Sequence, residues 1–384
     1  MAVKKPGYYT YSNDETLNFM LNRLAWHINH ERLVKIGKEV SSLEHFVSVM
    51  LKEAEEDEQK GLLLEAGYLY RGAEFFMTQE HPRKKEVYNK FMDYFYKYTD
   101  LVQSRRTEVP YEGGKLGTID IPAEGVERDI LVFCSGFDGL IEELYDIALS
   151  FSKNGYRVVL YEGPGQGSAL RWSDLTMTHE WERPTKIILD HYKIKRCTLI
   201  GISLGGYLAP RAAAFDSRIK RVVSWGSMQK FAECTKKAMG GRKGNILFRF
   251  IKMGFRSLIN TTLKKAAARD LGIKWGLSHG LHTSGQKDAF DFFKWLLNFD
   301  LEPVAHLIEQ DALLIQGTDD HLVDVEQLYQ QFRSLVNARS VTTRLATKKE
   351  EAAQHCQIGN PQLVIDEILL WMEGLDRRNV LLGD

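Results

Sequence analysis

Charge of one sign is missing from this sequence: 51 Lys and Arg are matched by 51 Asp and Glu, so no global field would draw the chain to nucleic acid or to an anionic membrane. Cysteine is scarce. The four present, Cys134, Cys197, Cys234 and Cys356, are widely scattered, and no pair has the spacing of a zinc knuckle or a redox dithiol. Long apolar runs are absent too. Lys4 and Lys5 are followed by no uninterrupted apolar stretch, so no secretory signal is expected, and nothing later is long enough to span a bilayer. His-Glu-x-x-His does not occur, which removes the usual case for catalytic zinc. These absences point to a cytoplasmic protein with reduced thiols, a small-molecule substrate, no nucleic-acid or membrane partner, and neither cofactor nor metal.

What is present is enough apolar residue, 44% of 384, for a substantial core with added segments. From about Asn13 to Val102 apolar residues recur at three and four positions. Leu62, Leu63, Ala66, Leu69, Tyr70, Ala73 and Phe76 form one stripe, and Val87, Phe91, Tyr94, Phe95 and Tyr98 another. Residues 1–105 are therefore expected to be a helical N-terminal domain, whose long aromatic helices would suit a homodimer. No repeat at a fixed period supports a helical array.

After Arg106 the texture becomes β-prone. Thr107 to Tyr111 and Gly117 to Ile121 flank the turn formers Glu112-Gly113-Gly114 and predict a hairpin. Apolar runs then alternate with helical segments: Ile130 to Cys134, Leu140 to Lys153, Arg157 to Leu160, Lys186 to Tyr192, Cys197 to Ile200, Leu204 to Ala214 and Val222 to Trp225. Strands apolar on both faces, separated by helices, imply a parallel sheet covered on each side. Residues 106–225 are read as the first part of this core and 226–302 as a basic, helix-prone cap insertion. Residues 303–384 resume the core with a strand at Ala312 to Ile315, a helix near Val325 to Leu335, a strand near Val341 to Leu345 and a last helix from Pro361 to Leu375.

The chemistry is concentrated where strand Cys197 to Ile200 runs into Gly201-Ile202-Ser203-Leu204-Gly205 and then a helix. Small residues permit the sharp strand-to-helix turn that lifts a serine hydroxyl above a sheet. Ser203 is the candidate nucleophile, and it requires a base and an acid downstream. Strand Leu313-Leu314-Ile315 ends in Gln316-Gly317-Thr318-Asp319-Asp320-His321, and Asp320 is preferred to Asp319 from its spacing to Gly317. The base is His355, which follows the last strand; His321 precedes that strand. Backbone N–H groups of Leu204 and of Phe137, in the loop Ser135-Gly136-Phe137-Asp138-Gly139, are the expected oxyanion donors. His279 and His282 are candidate substrate contacts in the cap. Glu162-Gly163-Pro164-Gly165-Gln166-Gly167-Ser168 lacks the Lys-Ser/Thr ending of a P-loop and the dinucleotide spacing of glycines, and is read as a loop shaping the pocket.

Taken together, Ser135-Gly136-Phe137-Asp138 with Glu142-Glu143, the Glu162 to Gly167 loop, Gly201 to Gly206, Ser224-Trp225-Gly226 and His355-Cys356-Gln357-Ile358-Gly359-Asn360 carry a family resemblance. They resemble the α/β-hydrolase group containing 2,6-dihydroxypseudooxynicotine hydrolase, fungal polyketide-shortening hydrolases and the FrsA-like esterases. The resemblance implies an α/β-hydrolase fold, a mostly parallel sheet flanked by helices, with a helical N-terminal domain and a helical cap. It also implies Ser203, Asp320 and His355 as a triad, and a pocket between N-terminal helices, cap and sheet. Some members of the group cleave carbon–carbon bonds beside a ketone. The chain departs from the group at Cys134-Ser135, where Gly is common before the oxyanion turn. The expected activity is a serine hydrolase forming an acyl-enzyme on an ester, thioester, amide or carbon–carbon bond next to a ketone, in a medium-sized hydrophobic or aromatic molecule. An acyltransferase or cyclase using the same triad, or an inert hydrolase-fold binding protein, are the alternatives.

Overall fold

The computed structural model describes residues 6–98 and 105–383; Lys4, Lys5 and the end of the helical pattern read to Val102 lie outside the described residues. The chain divides into two compact units, Met1–Arg105 with Phe250–Phe292, and Arg106–Arg249 with Phe293–Asp384. The insertion read at 226–302 is thus divided: its middle clusters with the N-terminal helices and its two ends with the sheet. No helix among the described residues is long and apolar enough to cross a membrane.

The first unit is helical. Several of its helices begin at polar caps: the Asp14 side chain accepts from the Leu17 N–H and the Ser42 side chain from the His45 N–H, which satisfies donors that a helix start leaves unpaired. Of the first apolar stripe, Ala66, Leu69, Tyr70, Ala73 and Phe76 are buried in helix Leu63–Phe76, whereas Leu62 lies just outside it and is exposed. Helix Leu271–Ser284 of the insertion packs on the same helix. The Trp275 indole N–H donates to the Phe75 carbonyl at 2.6 Å, and the Trp275 ring lies against Phe75 and Phe76.

The second unit is built on an eight-stranded sheet in the order β1-β2-β4-β3-β5-β6-β7-β8. The strands are β1 Arg106–Tyr111, β2 Gly114–Ile121, β3 Asp129–Cys134, β4 Tyr156–Tyr161, β5 Cys197–Ile202, β6 Ile219–Trp225, β7 Asp311–Gly317 and β8 Ser340–Ala346. β1 and β2 form the expected antiparallel hairpin, β2 pairs antiparallel with β4, and the remaining pairings are parallel. Every residue of β5 and β7 is buried, as mainly apolar strands covered on both faces require. Helices Tyr145–Ser152, Glu182–His191, Gly205–Ala213, Glu326–Ser334 and Pro361–Leu382 flank the sheet.

Two differences from the sequence reading have local causes. The segment Leu140 to Lys153 is not one helix. A 3-10 turn, Ile141–Leu144, precedes helix Tyr145–Ser152, and the Glu143 carboxylate accepts from the Leu140 N–H at 3.0 Å. The last helix continues past Leu375 to Leu382, where Val380 and Leu381 are almost fully exposed; an apolar stripe that faces water leaves no amphipathic signal to read.

Parallel register decides where the chemistry collects. Cys134 pairs with Gly201, Ile202 with Trp225 and Trp225 with Ile315, so the loops leaving β3, β5, β6 and β7 emerge along one edge. In open parallel sheets that edge, at the carboxyl ends of the strands, is where sites form.

Candidate active site

The turn after β5 forces Ser203 into the left-handed region at φ 62°, a conformation costly for a residue bearing a Cβ. Packing holds it there. A Cβ at Gly201 would lie 1.9 Å from the Gly205 carbonyl oxygen, so the turn closes this tightly only because position 201 has no side chain. The Ser203 N–H donates to the Trp225 carbonyl at 2.9 Å, anchoring the strained residue to β6.

Ser203 Oγ stands 2.8 Å from His355 Nε2, and His355 Nδ1 stands 2.7 Å from Asp320 Oδ2. An ionised carboxylate only accepts, so Nδ1 carries the ring proton and donates, leaving Nε2 to accept from the serine hydroxyl. Asp320 and His355 are both buried. Burial alone would push the Asp320 carboxyl upward, but His355 and the backbone N–H groups of Val323 and Leu322 outweigh it and hold it below the ordinary carboxylate range. Those two N–H groups reach Oδ1 at 2.9 and 2.8 Å. For His355 the signs reverse. Burial disfavours the imidazolium, and the Asp320 charge overcomes this and raises the affinity of the ring for a proton.

Asp319 goes elsewhere: its carboxylate pairs with Lys348 at 2.8 Å. His321 lies with its ring 6.3 Å from that of His355 and nearly perpendicular to it. Burial first, and then His355, push its pKa down to about 4. The structure therefore brings Asp320 and His355, not Asp319 and His321, to Ser203. His279 belongs to the first unit, where its ring stacks on Trp275 at 5.8 Å; His282 belongs to that unit as well.

The loop Ser135 to Gly139, read from the sequence as the oxyanion loop, lies beside Ser203. A Cβ at Gly136 would fall 2.7 Å from Ser203 Cβ, 2.9 Å from its Oγ and 3.1 Å from the Leu204 nitrogen. The Leu204 N–H has no acceptor among the described residues. Ser135 closes the loop by donating from Oγ to the Gly139 carbonyl at 2.9 Å, which gives a physical use to the serine that departs from the family pattern. The Phe137 ring packs on Phe231, centroids 5.2 Å apart.

Sequence reasoning missed three residues that hold these groups. Gln316 Nε2 donates to Asp320 Oδ2 at 2.9 Å and to the Val323 carbonyl at 3.3 Å. Besides taking the Ser203 N–H on its carbonyl, Trp225 donates from its indole to the Cys356 carbonyl at 3.1 Å, tying down the loop that carries His355. Gln166, in the loop rejected as a nucleotide site, contacts the backbone of the oxyanion loop. Ser224-Trp225-Gly226 and the Gly163 to Gly167 stretch were visible as motifs, but nothing local signals what their side chains reach.

Comparison with known proteins agrees with this architecture. A model of the alpha/beta hydrolase fold matches residues 129–358. Hydrolase LUC6 of a Fusarium species is 31% identical over 261 residues, a stretch that takes in 62% of this chain and 61% of that protein; the chain thus spans about three fifths of that relative's length. Among solved structures, AbyA5 superposes with a TM-score of 0.69 at 17% identity, covering 96% of this chain and 97% of its own. The 2,6-dihydroxy-pseudo-oxynicotine hydrolase does so with a TM-score of 0.61 at 17% identity, covering 88% and 90%. With the family model spanning the sheet from β3 to the loop of His355, the chain belongs to the α/β-hydrolase fold family.

Proposed function

We propose that the protein is a serine hydrolase acting through an acyl-enzyme. The observation that carries this reading is the unbroken hydrogen-bonded chain from Ser203 Oγ through His355 to Asp320, starting at a residue held at positive φ. His355 Nε2 takes the hydroxyl proton as Oγ bonds to a substrate carbonyl carbon. Charge passes to the carbonyl oxygen, where the N–H groups of Leu204 and Phe137 receive it without reorganising. The imidazolium, stabilised by Asp320, returns the proton to the leaving group as its bond to the carbonyl carbon breaks. Water repeats the sequence to release the acid. An ester, thioester, amide or carbon–carbon bond beside a ketone fits these steps equally, and a medium-sized hydrophobic or aromatic molecule is the proposed substrate.

The test is covalent labelling. A fluorophosphonate probe is expected to modify wild type at Ser203, found as a single adduct on the peptide spanning the Gly201 turn, and to leave Ser203→Ala unmodified. A folded wild-type protein that resists the probe would sink the hydrolase reading. Esters, thioesters and β-diketones screened in turn then separate the bond classes.

A second prediction concerns Gly136. Its missing Cβ leaves open the space between Ser203 Oγ and the Leu204 nitrogen, where the oxyanion would sit. Gly136→Ala is expected to lower kcat by about a hundredfold or more, the size of losing one oxyanion donor, and to lower the melting temperature as well, since the added Cβ would stand 2.7 Å from Ser203 Cβ and force the turn to shift. Turnover on an activated ester, read beside a thermal melt, checks it; wild-type turnover in the variant would place the oxyanion elsewhere.

A further inference from the structure

The Glu162 to Ser168 loop, which no step above uses, is built around one side chain. Gln166 is buried, and its amide makes three hydrogen bonds: Nε2 donates to the Ser135 carbonyl at 2.9 Å and to the Gly136 carbonyl at 2.7 Å, and Oε1 accepts from the Gly163 N–H at 2.9 Å. The orientation of the amide is determined by its partners. Two carbonyls require a donor and an N–H requires an acceptor, so the nitrogen must face the oxyanion loop. The rest of the loop immobilises Gln166. The Gln166 N–H donates to the Gly163 carbonyl, and the Glu162 carboxylate accepts from the Ser168 N–H at 2.8 Å and from its hydroxyl at 2.5 Å.

We infer that Gln166 is the positioning residue for the oxyanion donor of Phe137, an inference that rests on the serine-hydrolase reading. The Gly136 carbonyl and the Phe137 N–H are opposite edges of one planar peptide unit. Holding the carbonyl on Gln166 turns the N–H away from Gln166 and keeps it there. Without the clamp this glycine-flanked peptide is free to rotate, and a half-turn would present a carbonyl oxygen where the N–H is needed. A donor would become a repelling acceptor. Gln166 acts through the Gly136–Phe137 peptide, so its effect appears as charge develops on the substrate oxygen.

The test uses Gln166→Met, of similar length but without a donor, and Gln166→Glu, of the same shape but unable to donate to two carbonyls. Each is expected to lower kcat on an activated ester by about a hundredfold, with KM changed less than about threefold. Affinity for a trifluoromethyl ketone, whose adduct bears the oxyanion, is expected to fall by the same factor as kcat/KM, while affinity for the product acid is unchanged. A merely structural role would not produce that split. Should Gln166→Met not fold, the Glu variant carries the test. A folded variant that keeps kcat within about threefold of wild type, or loses kcat while keeping the ketone affinity, overturns the role assigned to Gln166. Wild type labelled by fluorophosphonate at Ser203 in the same experiment confines that failure to Gln166. An unlabelled wild type would instead bring down the hydrolase reading and this inference with it.

Discussion

Ser203→Ala is expected to lower kcat about a million-fold, and His355→Ala by a similar factor, while the double variant loses almost nothing more. The reason is that the two side chains act as one unit. A serine hydroxyl is a poor nucleophile until its proton has somewhere to go, and among the described residues the ring nitrogen positioned to take it is Nε2 of His355, 2.8 Å away. Removing either partner stops the same event, so the second removal has nothing left to subtract. What remains in each variant is the rate that binding and the oxyanion donors supply to attack by water. Single-turnover and steady-state rates on one ester, measured for both single variants and the double, test this. Effects that multiply, with the double variant far below either single one, would mean that Ser203 and His355 act in separate steps.

The next largest effect belongs to Asp320→Asn, expected at about ten-thousandfold in kcat, together with a change in pH dependence. An asparagine amide can turn its NH2 toward Nδ1. The ring proton then sits on Nε2, which faces Ser203 as a donor when an acceptor is needed. The pH effect follows from the causes acting on His355. Its proton affinity is lowered by burial and raised by the Asp320 charge, with the charge prevailing. Activity requires the neutral ring, so kcat/KM falls as pH drops through the His355 pKa. In the variant the largest raising charge is gone, while burial and the smaller raising influence of Cys356 remain. The acid limb of the pH profile is therefore expected to move to lower pH while the plateau falls. A kcat/KM profile for both proteins checks the direction. An acid limb that stays where it is, or moves up, would show that Asp320 does not control the base.

The strands were legible because burial on both faces leaves a simple trace: an unbroken apolar run such as Ile130 to Cys134 or Ala312 to Ile315 has few other uses. Ser203 was legible for a related reason. Its turn needs small residues on both sides, and a strand before and a helix after narrow what such a turn can be. The choice of Asp320 over Asp319 was weaker, since both occupy one loop. What separates them in the structure is that Gln316 and the Leu322 and Val323 N–H groups point at Asp320, while Lys348 takes Asp319. The division of the insertion was not legible at all. Its helices mix apolar, basic and polar residues without a change of texture, and nothing in that pattern says that Phe250–Phe292 clusters with residues before 106.

By itself, then, the sequence determined most of the elements and their alternation, because each depends on neighbours a few residues away, and with them the order Ser203, Asp320, His355 along successive strands. Tertiary structure alone decided what holds those groups. Gln166 and the oxyanion loop are some thirty residues apart and meet because β3 and β4 pair in parallel with Cys134 opposite Tyr161, so the loops that follow leave the sheet together. Trp225 supports both Ser203 and the loop of His355 because β6 lies beside β5 and its indole reaches Cys356. A polar side chain in a loop looks alike in sequence whether it faces water or clamps a peptide. Only strand register determines which backbone groups lie within its reach.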